Sequence, residues 1–139
     1  MTGLNTGTGL NASSTGDAVT DVLIVIASEN ISAGDLVNIW NNSGVANARR
    51  ADASVSGKQA HGFVLASVSQ GANATVYFEG AVTGLSGMTP GATQFLSDSV
   101  AGGHTETAPV TAGHYMQVVG TARGVTIMDF EVAPPVKRG

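Results

Sequence analysis

The chain has 139 residues, a net charge of −4 and no cysteine. That length is enough for one domain with a core of its own, and the absence of thiols excludes disulfide staples and thiolate metal sites. Charged residues make up 12% of the chain, roughly half the usual share for a soluble domain, and no cluster of Lys and Arg marks a nucleic-acid footprint.

Polarity comes instead from Ser, Thr, Asn and Gln, with 19 glycines. Such a weakly hydrated, uncharged exterior reads either as the neutral surface of a soluble domain or as a surface covered by partners or by sister subunits. Residues 1–18, MTGLNTGTGLNASSTGDA, hold too little apolar surface to order themselves. Leu4 and Leu10 are spaced apolar anchors in this soft segment, which reads either as a frayed end or as an arm that orders on a partner. The N-terminus has no basic n-region, so no secretory leader is expected. Val22–Ala27, the one strongly apolar stretch, is too short to span a bilayer.

That stretch is a continuous run of mostly β-branched residues, which predicts a strand buried on both faces. Ile31–Asp35 reads as a turn, and Leu36–Trp40 alternates like a half-buried strand. Asn41-Asn42-Ser43-Gly44 predicts a hairpin turn, because Asn and Gly tolerate positive φ, and Val45–Ala51 is the returning strand. Asp52–Ala60 is polar and reads as a loop before a strand at His61–Ala66. After a turn at Gln70–Asn73, Ala74–Glu79 runs on into Gly80–Thr83, with Gly80 marking a bulge or bend. Pro90-Gly91 is a turn before a strand at Thr93–Leu96. Ser97–Pro109 reads as loop, His114–Val119 alternates, and Gly124–Phe130 is the last strand. Pro134 and Pro135 donate no ladder hydrogen bond, so residues 133–139 are expected to end the sheet as a tail. Short strands at this spacing predict an all-β fold, a single β-sandwich or β-barrel over 19–132.

The chemistry-bearing residues form no motif. His61, His104 and His114 stand in no HxH, HExxH or HxxxH spacing, so a zinc site has no support. His104 reads as exposed in its loop, and His61 and His114 as surface or interface residues at strand starts. The ten carboxylates show no calcium-loop pattern. A glycosidase pair can form in space from any spacing, but Trp40, Tyr77, Tyr115 and four Phe are few enough for a core to consume. No GxSxG elbow and no phosphate-binding loop occurs. Asn11, Asn30 and Asn73 head sequons that, without a leader, are chance matches. These readings predict a protein that is not an enzyme and needs no cofactor. Arg49-Arg50 and Lys137-Arg138 are the basic pairs, each a solvated pair or a contact to an acidic partner. Trp40 and Tyr115 are the aromatics available to an interface.

A family likeness runs from Ile31 to Leu96, about half the chain. It is carried by Ile31-Ser32-Ala33-Gly34-Asp35-Leu36-Val37, by Gly62-Phe63-Val64-Leu65-Ala66 and by Gln70-Gly71-Ala72. It continues through Val76-Tyr77-Phe78-Glu79-Gly80 and Gly84-Leu85-Ser86-Gly87-Met88-Thr89-Pro90-Gly91. This stretch resembles the small capsid-decorating, or cement, proteins of tailed bacteriophages, and is also similar to segments of phage head-fibre and tail-fibre proteins. The resemblance implies a structural protein on the outer surface of the virion, binding the major capsid protein and assembling with itself, usually as a trimer or dimer (the trimer is the form expected here). It implies no contact with nucleic acid or membrane. Some such proteins use an N-terminal arm, a role for which Leu4 and Leu10 are the candidates. The alternatives are a receptor-binding fibre domain, using Trp40 or Tyr115, and a fragment of a polysaccharide-degrading enzyme.

Overall fold

The computed structural model describes residues 21–139, and the protein is all-β. The strands are β1 (Val22–Ala27), β2 (Leu36–Asn42), β3 (Val45–Arg50), β4 (Gly62–Phe63), β5 (Asn73–Tyr77), β6 (Gly80–Val82), β7 (Thr93–Leu96), β8 (His104–Thr105), β9 (Tyr115–Met116), β10 (Val118–Ala122), β11 (Met128–Phe130) and β12 (Val136–Lys137). Strands β1-β3-β2-β4-β5 close into a barrel. A second sheet runs β6-β11-β10-β7-β8, and β9 pairs with β12 as a separate ribbon.

The expected hairpin joins β2 to β3 with Asn42 opposite Val45. Its two loop residues, Ser43 and Gly44, have φ of 53° and 86°. Positive φ at both positions is the turn whose twist matches that of the flanking strands, and the Asn41 Oδ1 accepts the Gly44 amide at 2.7 Å. At Gly80 the chain has φ 124°, which ends the run from β5 and redirects it into the second sheet.

Two cores result. The barrel interior is filled by small side chains, Val25, Ala27, Val37, Ala48, Ala74 and Val76, capped by Ile31 and Val64. A five-stranded barrel is narrow, so Val and Ala suffice to fill it. The larger core, around Leu36, Phe63, Val82, Leu96, Val119, Met128 and Phe130, includes residues of both sheets. Phe63 is at its centre, stacked on Tyr77 at 5.6 Å and edge-on to Phe130 at 5.1 Å.

This arrangement reverses two burial expectations. β1 is not buried on both faces: Ile24 and Ile26 are exposed, and only Val25 and Ala27 point into the barrel. β2 was expected to be half-buried, yet Leu36, Val37 and Asn38 are all buried. β2 is the wall shared by both cores, with Leu36 facing one and Val37 the other. β1 has no second layer outside it among the described residues.

The loop expected at Ser97–Pro109 contains β8, and the strand expected at His61–Ala66 is reduced to Gly62–Phe63. The tail also differs. Pro134 and Pro135 do not end pairing, because the chain resumes as β12 with Val136 opposite Met116 and Lys137 opposite Tyr115. Proline forbids a ladder bond only at its own position. Gln117 ties the regions together: its side chain accepts the Ala60 amide at 2.8 Å and donates to the Ala60 and Ala133 carbonyls, each at 3.0 Å.

Candidate interaction surface

The outward face of the barrel is the feature that its packing leaves unexplained. Side chains alternate along a strand, so with Val25 and Ala27 inside, Ile24 and Ile26 must point out. Ile24 is 65% exposed, Ile26 43% and Val45, at the start of β3, 54%. Each leaves apolar area in water, at a cost that scales with that area.

The backbone beside them is incomplete too. The Ala27 amide donates to the Ala72 carbonyl at 2.9 Å, and the Phe78 amide donates to the Asp21 carbonyl at 3.1 Å. Odd-numbered residues of β1 therefore exchange hydrogen bonds with β5, and even-numbered ones turn their amides the other way. On that other side β3 pairs in parallel with Ile26 and Ala27 only. Val22 and Ile24 thus present backbone groups along an edge with no strand partner among the described residues. An open edge flanked by aliphatic side chains is a template for an added strand.

Trp40 and Arg49 flank this face. Trp40 is half-buried, its indole N–H donating to the Ser28 Oγ at 3.0 Å. The Arg49 guanidinium lies 4.9 Å from the Trp40 ring centroid, over its face, while its Nε donates to the Asn38 Oδ1 at 2.9 Å. Beside them Asn47, opposite Ile26 on one side and Trp40 on the other, is 5% exposed, and its Oδ1 has no hydrogen-bond partner among the described residues. Arg50 is committed elsewhere: its guanidinium and amide bind the Glu29 carboxylate at 3.1 and 2.8 Å. Burial opposes ionisation of Glu29, but the Arg50 contacts outweigh it and hold the carboxyl below its ordinary range.

The other sequence candidates sit apart. Tyr115, Lys137 and Arg138 come together on the β9–β12 ribbon, where Tyr115 packs on the larger core and the Arg138 amide donates to the His114 carbonyl at 2.7 Å. Leu4 and Leu10 lie outside the described residues. Sequence reasoning missed Ile24 and Ile26 because it placed β1 inside on both faces, and Val45 because it read the returning strand without assigning its faces; no local signal marks which face is wet.

Each of the three histidines has a partner at Nδ1. His61 is half-buried, its Nδ1 accepting the Ile39 amide at 2.9 Å, and burial lowers its pKa. His104 is not exposed in its loop as expected: it is half-buried on β8 with Nδ1 2.8 Å from the Gln94 Oε1, and burial lowers its pKa against the opposing pull of Glu106. His114 Nδ1 lies 2.9 Å from the Asp98 Oδ2. Among the described residues no three of His, Cys, Asp or Glu converge as a metal site, and no helix is long and apolar enough to cross a membrane. Compared with protein-family models and with curated proteins, the chain matches none.

Proposed function

We propose that this chain is a structural protein of a tailed-bacteriophage virion, which decorates and stabilises the outer surface of the capsid by binding the major capsid protein lattice. The observation that carries the proposal is the open edge of β1 flanked by exposed Ile24 and Val45. It supplies backbone pairing and aliphatic burial, which are what a neutral lattice contact requires. The sequence resemblance over Ile31–Leu96 supports the same reading. In it the protein works by contact rather than turnover, self-associates as a trimer, and gains from many weak contacts on one lattice. The segment carrying Leu4 and Leu10 leads directly into β1, so an arm would reach the lattice from the edge where the body docks.

A receptor-binding fibre is the weaker reading, because the Trp40 ring face already carries Arg49 and Tyr115 packs on the core. Copy number separates the two, since a cement protein is present in hundreds of copies and a fibre tip in a few.

The test is rebinding. Particles stripped of the protein are imaged by electron microscopy before and after adding it back. The wild type restores a regular layer of density and raises the temperature at which particles release DNA. Ile24→Lys places a charge on an exposed edge position, so its own stability changes by only about 0.5 kcal/mol, while rebinding falls about tenfold or more. Equal rebinding by the variant, or no layer with the wild type, would sink the proposal.

A further inference from the structure

One end of the barrel is open. Leu23 on β1 and Ile39 on β2 continue the inward-facing rows of Val25 and Val37, and with Phe78, Val132 and one edge of His61 they line a shallow, mainly apolar depression of about 420 Å³. Leu23 and Val132 are each 38% exposed. The barrel's own side chains do not close this end.

The place where the described chain begins bears on what does. Asp21 is fixed at the rim, its carbonyl accepting the amide of Phe78, itself a lining residue. The twenty preceding residues therefore start at the lip of the depression. Their large apolar side chains are Met1, Leu4, Leu10 and Val19. Val19 is too near Asp21 to double back. Leu10 is eleven residues away, with an extended reach of roughly 36 Å, and Ser13-Ser14-Thr15-Gly16-Asp17 between them is turn-forming. A tether of this length keeps Leu10 at roughly millimolar effective concentration beside the depression, which favours its own chain over another copy.

We propose that the open end of the barrel is the docking site for Leu10 of the same chain, with residues 11–20 forming the return loop. The segment is held on its own body by one aliphatic contact, weak enough to be exchanged for a stronger one. The inference rests on the barrel end and on chain continuity, and stands whether or not the partner is a viral shell.

The chain has no native cysteine, so pairwise cross-linking is clean. The full-length double variant Leu10→Cys/Val132→Cys is oxidised at high dilution beside a control, Leu10→Cys/Val110→Cys, whose second site is exposed elsewhere. Docking predicts an intrachain disulfide, migrating as a compact monomer, that forms about tenfold faster than in the control. Equal rates, or a disulfide-linked dimer as the main product, would overturn the inference. A thermal melt of the reduced variants verifies folding. Should the Val132 variant unfold, methyl NOEs in the wild type decide the question: cross-peaks from Leu10 to the Phe78 ring within one chain support docking, and their absence, or their appearance only between differently labelled copies, refutes it.

Discussion

At the residue scale the fold depends on positions where backbone meets backbone. A Cβ on Gly120 would lie 2.1 Å from the Asp129 carbonyl oxygen, where β10 and β11 pair, next to the register shift between Val118 and Gly120. No side chain can yield there, so Gly120→Ala must displace a strand. The expected cost is about 3 kcal/mol or more, seen as a large drop in the urea midpoint or as insoluble protein. Gly71, with φ 89° and open space around its Cβ position, is the comparison; Gly71→Ala should cost only about 1 kcal/mol, the price of left-handed backbone. Both glycines look alike in the sequence. Gln117 makes a related point, since a buried amide with three well-formed bonds joins the polar loop before β4 to β10 and to Ala133, and nothing in its local pattern announces it.

At the element scale β1 and β4 carry the informative tensions. β1 supplies one wall of the barrel and one unpaired edge, and its exposed isoleucines concern what binds rather than what folds. The short strand β4 is framed by His61, whose Nδ1 must stay unprotonated to accept the Ile39 amide. Burial lowers the pKa of both His61 and His104 in the folded state. Above the ordinary value of 6.5 both are neutral, folded or not, and cost nothing. Below 6.5 the unfolded chain takes up protons first, so stability is lost as pH falls towards the folded values. The urea midpoint should therefore be lower at about pH 5 than at about pH 7.5. His61→Gln, which keeps an acceptor without the titration, should remove part of that difference; an unchanged pH profile in this variant would show that His61 does not contribute. Glu29, held low by Arg50, adds a loss of the same sign only nearer its ordinary value of 4.5.

At the scale of the whole molecule, a body with 12% charged residues has little ionic means of holding a partner. Three of its six Lys and Arg side chains are engaged internally: Arg49 on Trp40, Arg50 on Glu29 and Arg123 on Asp129. Contact through aliphatic burial and backbone pairing is only weakly screened by salt. Retention on purified particles should accordingly change less than about threefold between roughly 0.05 and 0.5 M NaCl, measured by quantifying particle-bound protein after sedimentation. A steep loss across that range would point to an ionic contact and away from the β1 face.

The local code was legible where a residue type leaves the backbone few choices. The Asn41–Gly44 hairpin, the bend at Gly80, the Pro90-Gly91 turn and the all-β class follow from positive φ, ring constraint and β-branching, which act over four or five residues. Which face of each strand is wet was not legible, because it depends on what lies across the sheet. Val22–Ala27 reads as buried on both faces and Leu36–Trp40 as half-buried, yet closure into a barrel left Ile24 and Ile26 outside and set Leu36 and Val37 against two different cores. Tertiary packing alone decided that placement: burial is set by the second layer, and no stretch of chain contains its own second layer.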